Sequence, residues 1–361
     1  MARYTLTLAA LLVLPLAVRA GDKTTFPFRD GDKVAWIGSS STKIGVWPKT
    51  MEFLLRTRHP ELKLTFKSHT TGGGTFATGL QNLDKWLEES KPTLVFFNYG
   101  SNDASADQKG LPTFKENIDK CVRKARDAGA RVLLMTPQAA DVRKSGVAAA
   151  KRRELYAENV LMFAKEKGWP PVIDVFHPLQ ELQEKGQKDD DKYTILKDTI
   201  HLTEPAYIAW GFYLYAGLNP PAVESRATLD AKGKLVGVKG CKVVDVTADA
   251  ESVAFTRLDE VLPLLPPAPL PPRKYVPLEQ WSAYLLEVRG LAKGMYEIRC
   301  EGKRLGTADA DALGKGVNLN TLLLDSKETA PWEELTKQLW AGKALDQVGQ
   351  TKWRLEVRKA K

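Results

Sequence analysis

Residues 34–42 read VAWIGSSST. The apolar run predicts a buried strand over 34–37, and Gly38 ends it ahead of three serines and a threonine. Hydroxyls in that position make a solvated turn, a helix cap or the seat of a nucleophile. The choice depends on whether the rest of the chain supplies a base and an electrophilic pocket.

Working outward, residues 33–218 alternate short β-rich runs with helical stretches. The runs fall at 34–37, 62–66, 93–98, 131–136 and 172–175, and the helical stretches at 49–58, 79–90, 113–128 and 149–167. Strands alternating with helices predict βαβ units and a parallel sheet covered on both faces. A helix over 206–217, containing YIAWGFYLYAG, is almost wholly apolar and should be deeply buried. This is an α/β domain.

The chain has 361 residues, enough for one large domain and a smaller one. Residues 1–20 stand apart from that core. Arg3 is followed by a run from Leu6 to Val18 that is apolar except for Thr7, and Val18-Arg19-Ala20 fits a cleavage site. The pattern predicts a signal peptide cut after Ala20, hence a secreted or periplasmic protein. The run is short for a membrane anchor, and no later stretch approaches that length. Cleavage would remove Arg3 and Arg19 and bring the formal net charge from +9 to +7. Lysines and arginines are interleaved with acids and form no basic stripe with aromatics, which argues against nucleic-acid binding. Of the three cysteines, Cys121, Cys241 and Cys300, only Cys241 and Cys300 could pair within the later region. No closely spaced Cys/His set suggests a metal, and no cofactor is expected.

The texture changes after Pro220-Pro221. Residues 222–361 read as a smaller β-rich module, with strands over 234–247, 252–257, 283–289 and 294–300 and a helix over 331–342. The segment LPLLPPAPLPPR at 262–273 reads as a Pro-rich linker or extended loop, exposed if the module is independent.

Ligands of an open parallel sheet bind at the carboxyl ends of its strands. Strand one ends in Gly38-Ser39-Ser40-Ser41-Thr42 and strand three in Asn98-Tyr99-Gly100-Ser101-Asn102-Asp103. Strand two is followed by Thr70-Thr71-Gly72-Gly73-Gly74-Thr75, and Asp198-Thr199-Ile200-His201 precedes the apolar helix. A serine becomes a nucleophile when an imidazole takes its proton and a carboxylate orients that imidazole. Asp-x-x-His puts acid and base on one loop. The Asn102 amide, a backbone N–H from Gly72 or Gly73 and the serine's own N–H could form an oxyanion hole. Singly, each piece has a plainer reading: a cap, a flexible turn, an Asx turn. Their order along the chain is what favours chemistry.

The chain has four histidines, His59, His69, His177 and His201. His59 lies at the wrong end of strand two, and His69 has no acid three residues before it. Asp174 and His177 repeat the Asp-x-x-His spacing, but Asp174 falls inside strand five. His201 follows a long polar loop and directly precedes the buried helix, from which it can return to strand one.

With these residues in place, residues 31–218 resemble the SGNH (GDSL-type) hydrolase superfamily. GSSST occupies the place of the family's GDSxT block, GSND at 100–103 matches GxND, and DTIH at 198–201 matches DxxH. The resemblance implies a flavodoxin-like three-layer α/β/α sandwich for a hydrolase domain spanning 21–221. It implies Ser40 as nucleophile, His201 as base, Asp198 as its orienter, and Ser40, Gly72 and Asn102 as oxyanion donors. Two departures stand out: Ser39 replaces the family's Asp, and SHTTGGG at 68–74 replaces the usual Asn-x-Gly.

The expectation is an exported serine esterase acting on a small-molecule or polysaccharide ester, foremost an acetylated carbohydrate. The alternative is a catalytically impaired carbohydrate- or surface-binding protein on the same fold. A lipase is disfavoured because no long apolar lid is visible. Trp36, Trp47, Trp86, Trp210 and Trp281 could stack on sugars, though core packing is the commoner use of such residues.

Overall fold

The computed structural model describes residues 26–169, 172–325, 329–348 and 351–360. The expected signal peptide lies outside them. The N-terminal half runs β1 (Lys33–Gly38), α1 (Ser40–Ile44), α2 (Val46–Arg58), β2 (Thr65–Thr70), α3 (Phe76–Ser90), β3 (Leu94–Asn98) and α4 (Leu111–Asp127). It continues through β4 (Arg131–Met135), α5 (Val142–Ser145), α6 (Val147–Glu166), β5 (Val172–Ile173), α7 (Phe176–Asp189) and α8 (Glu204–Gly217). The five strands pair in parallel in the order β2-β1-β3-β4-β5, the flavodoxin-like order. The α/β/α architecture is therefore as expected.

Alternation along the strands builds both layers. Val34 and Trp36 of β1, with Phe96 of β3, join a core under α2, α7 and α8. Ala35, Ile37, Val95 and Phe97 face the opposite core, made by α3, α4 and α6. Between α2 and α8, the fully buried Trp47 and Trp210 stack with ring centroids 5.5 Å apart. Of the five tryptophans considered as sugar platforms, Trp36, Trp47, Trp86 and Trp210 are buried, and Trp281 stacks on Phe212 at 4.1 Å. Packing, not sugar stacking, is their use.

Two local expectations are corrected. The second strand lies at 65–70 instead of 62–66, because it is an edge strand with one neighbour and its side chains are largely polar. The polar stretch before His201 contains α7, whose inward face is Phe176, Leu179, Leu182, Gln183 and Gly186.

The C-terminal half is β-rich, as expected, and forms two sheets. Its strands are β6 (Ser225–Asp230), β7 (Leu235–Lys239), β8 (Cys241–Ala248), β9 (Ser252–Asp259), β10 (Tyr284–Arg289), β11 (Met295–Cys300), β12 (Lys303–Asp309), β13 (Val317–Asn318) and β14 (Lys352–Lys359). Short helices α9 (Leu278–Trp281), α10 (Ala310–Lys315), α11 (Leu319–Asp325) and α12 (Glu333–Trp340) connect them. One sheet has the order β13-β10-β6-β7 and the other β12-β11-β14-β9-β8. Cys241 and Cys300 are free: two strands separate β8 from β11, so about 14 Å of sheet lies between them, well beyond disulfide reach.

The Pro-rich segment is extended, but its first part is buried instead of exposed. Leu262, Leu264 and Leu265 lie in the same core as α2 and α8. The Leu262 N–H donates to the Thr57 carbonyl at 2.8 Å, and buried Arg58 donates to the carbonyls of Leu264 and Trp281. Proline has no N–H that needs an acceptor, which suits a strap laid across a surface. Among the described residues no helix is long and apolar enough to cross a membrane.

Candidate active site

In this strand order, β1 and β3 flank the point where the connections change direction, and their carboxyl ends open the crevice. Gly38 makes the turn there possible: a Cβ on it would sit 2.2 Å from Thr42 Oγ1 and 2.8 Å from the Asn98 carbonyl oxygen. The chain folds back tightly, Thr42 Oγ1 donates to Asn98 Oδ1 at 3.1 Å, and Ser40 opens α1.

Ser40 Oγ lies 2.9 Å from His201 Nε2, and His201 Nδ1 lies 2.8 Å from Asp198 Oδ2. The other Asp198 oxygen accepts the backbone N–H groups of Ile200 at 2.8 Å and His201 at 2.7 Å. Desolvation works to raise the Asp198 pKa. The two N–H bonds, the imidazole bond and the imidazole charge outweigh it and bring the pKa down to about 2. An ionised carboxylate only accepts, so Nδ1 carries the proton and Nε2 is left to accept the Ser40 hydroxyl.

The rival pair forms the same local bond and meets no serine. His177 Nδ1 lies 2.6 Å from Asp174 Oδ2, while its Nε2 lies 3.0 Å from Glu158 Oε1. Both ring nitrogens are thus taken by carboxylates. His59 is buried against Tyr215, with its Nε2 2.7 Å from the phenol oxygen, and His69 Nε2 meets Ser90 Oγ at 3.0 Å. Of the four imidazoles, His201 alone reaches the hydroxyl cluster.

The glycine loop is a tight turn. The Gly74 N–H donates to the Thr71 carbonyl at 3.0 Å, and Gly73 takes φ +67° at the position where such a turn needs glycine. That bond occupies the Gly74 donor. Gly73, next to the expected donor Gly72, lines the cleft alongside Asn102. Asn102 Nδ2 donates to the Gly74 carbonyl at 2.9 Å, which fixes the amide and leaves its second N–H. Asp103 ties the two loops together, accepting the N–H of Phe76 at 3.0 Å and of Gly100 at 2.9 Å. Burial pushes its carboxyl up to about 6 against these bonds.

Residues 138–153, none of them expected in the site, hold the loop that bears the base. Gln138, buried, accepts the Ser41 hydroxyl at 3.0 Å and donates to the Ile200 carbonyl at 2.7 Å, linking the nucleophile turn to the base loop. Ser145 Oγ and Arg153 Nη2 both donate to the Thr199 carbonyl, at 2.9 and 2.8 Å. Nothing in PQAAD at 137–141 marks Gln138 out, because its two partners come from distant segments. A cleft of about 450 Å³ opens beside these loops, walled by Ser101, Asn102, Ser105 and Thr199 among others. Among the described residues no cluster of His, Cys, Asp or Glu is placed to hold a metal ion.

A parallel sheet with a serine, an imidazole and a carboxylate in hydrogen-bonded series at its switch point defines a class of α/β hydrolytic domain. Residues 37–208 match the GDSL-like Lipase/Acylhydrolase family, and the domain they form belongs to it. With membership comes the class of reaction, hydrolysis of esters. A comparison with curated protein sequences finds no significant match. Among solved structures, the chain is similar to BT4096, a gut microbial diltiazem-metabolizing enzyme, at 19% identity and TM-score 0.74, covering 89% of this chain and 80% of that one. It is also similar to a catalytic mutant of Axe2, an acetylxylan esterase from Geobacillus stearothermophilus, at 16% identity and TM-score 0.46, covering 55% and 98%. A lipase/acylhydrolase from Enterococcus faecalis matches at 20% identity and TM-score 0.43, covering 52% and 96%. The first of these likenesses establishes the fold, and its coverage extends into the β-rich half.

Proposed function

We propose that this chain is an exported serine esterase that removes acyl groups, acetyl foremost, from carbohydrate. The observation that carries the reading is the unbroken series Asp198–His201–Ser40 at 2.8 and 2.9 Å. Export rests on the composition of residues 1–20, and the carbohydrate class on the hydroxyl- and amide-lined cleft.

In the first step His201 Nε2 takes the Ser40 proton as Oγ bonds to the ester carbonyl carbon. The carbonyl oxygen becomes an oxyanion, met by the Ser40 N–H, the free Asn102 amide N–H and a backbone N–H of the glycine turn, from Gly72 or Gly73. Collapse breaks the bond to the alcohol oxygen, which leaves with the proton from His201. Water then attacks the acyl-Ser40, giving its proton to His201, and the released Ser40 oxygen recovers it. Asp198 stays ionised throughout and holds the imidazole in the accepting tautomer.

Turnover of p-nitrophenyl acetate by the purified chain tests this. Ser40→Ala should leave no measurable turnover with an unchanged circular dichroism spectrum, and Ser39→Ala should be much milder. Comparable residual activity in both variants would remove Ser40 from the role.

A further inference from the structure

The cleft walled by the Asn102 loop and the base loop is cationic. Arg152 and Arg153 of α6 both line it together with Asn102, and no Asp or Glu is among its lining residues. Arg152 is half-buried, and its side chain has no ion pair or hydrogen bond among the described residues. Arg153 is 5% exposed. Its Nη2 is used on the Thr199 carbonyl, while its Nη1 is buried with no partner among the described residues. Asp198, the nearest acid acting on Arg153, is already committed to His201 and to two backbone N–H groups.

An unpaired guanidinium N–H in a cleft wall is a costly arrangement, because a buried donor without an acceptor forfeits its hydration. A wall built for neutral sugars alone would use amides and hydroxyls, as the Ser101–Asn102 side of this cleft does. Two guanidiniums lining one cleft match a planar anion that can accept several N–H bonds at once. The anion that a polyhydroxylated ester carries most directly is the carboxylate of an acidic sugar.

We propose that Arg152 and Arg153 form a subsite for a sugar carboxylate, so that the natural substrate is an acylated uronic-acid-containing saccharide. The inference rests on the esterase reading for its biological sense, but the subsite can be measured without turnover. In the bound state the carboxylate accepts from Arg152 and, with a small rotation of the guanidinium, from Arg153 Nη1. The ester then lies on the Asn102 side of the cleft. No bond is made or broken at the subsite.

The test is calorimetric titration of the full chain carrying Ser40→Ala with two probes of equal length, trigalacturonate and the neutral galactotriose. The acidic probe should bind at least about tenfold tighter, in line with one or two charge-assisted bonds. That advantage should shrink as salt is added, because part of it is electrostatic. Adding Arg152→Gln should cut the ratio of the two affinities by about tenfold. Arg152→Lys should keep part of it, and thermal melts of both variants establish that each is folded. Equal binding of the two probes, or a preference that survives Arg152→Gln, overturns the subsite. A chain that cleaves p-nitrophenyl acetate yet ignores the carboxylate refutes the subsite alone. A chain that prefers trigalacturonate but shows no turnover refutes the esterase reading and leaves the subsite standing.

Discussion

Replacing Gln138 by leucine keeps the side-chain bulk and deletes both bonds by which it joins the nucleophile turn to the base loop. Two consequences can be sized separately. The Ser41 hydroxyl is 2% exposed and would lose its acceptor, a loss of about 1–3 kcal/mol. The Ile200 carbonyl lies on a half-buried loop where water can replace the lost donor, so it adds less. For a domain of this size the melting temperature should fall by several degrees, on the order of 3 °C per kcal/mol. The second consequence is geometric. His201 directly follows Ile200, so releasing that carbonyl frees the imidazole relative to Ser40, and misplacement near 1 Å costs about 10²-fold in rate. The assay is steady-state hydrolysis of p-nitrophenyl acetate at a temperature where both proteins are fully folded. We expect kcat to fall by about 10- to 100-fold with KM little changed, since the loss is of alignment in the transition state. Ser41→Ala, which leaves the Ile200 bond intact, should lose stability but far less kcat. A Gln138→Leu protein with a lowered melting temperature and wild-type kcat would refute the reasoning and reduce Gln138 to a packing residue.

His201→Ala should remove nearly all turnover, whereas His177→Ala, which loses bonds only to Asp174 and Glu158, should lower the melting temperature and keep kcat; a folded but inactive His177 variant would reverse the assignment. The Asp103 carboxyl titrates near 6 in the folded chain against 3.8 when free, so the native state holds its proton more tightly. Its contribution to stability is therefore fullest below about pH 4 and is lost as pH rises through 6, and Asp103→Asn should flatten that part of the unfolding profile; equal slopes for the two proteins would count against it. Truncation after residue 221 strips Leu262 and Leu264 from the shared core and leaves buried Arg58 without its two carbonyls, so the shortened chain should be insoluble; recovery of a soluble, active fragment would show that the halves are independent.

What the sequence displayed was whatever depends on short-range pattern. The strand ending at Gly38, the GSND turn and the Asp198-x-x-His201 loop each carry their chemistry within a few residues, so they could be read directly. Choosing between His177 and His201 required only knowing which helix follows, and α8 is unmistakably apolar. The misread parts depend on distant partners. The edge strand β2 has water on one side, so its alternation is faint. Helix α7 hides behind Gln, Glu and Lys on its outer face, and its Gly186 is set by the Tyr193 ring, where a Cβ would come within 2.0 Å. The strap at 262–273 reads as a linker by composition and is buried because Arg58, some two hundred positions earlier, holds its Leu264 carbonyl. Gln138 is invisible for the same reason: its function is the sum of two bonds to segments that only folding brings near.

Strand β14 follows both β9 and β11 in sequence, yet it lies between them in the middle of its five-stranded sheet. During synthesis the two flanking strands therefore emerge before the one that joins them. Until β14 follows, β9 and β11 each present an unsatisfied edge, and the core that this sheet shares with the hydrolase domain stays open. Closure of the sheet thus waits for residues 352–359. A chain stalled or clipped before that strand would be poorly protected against aggregation, which makes β14 the checkpoint between a closed sheet and an open one.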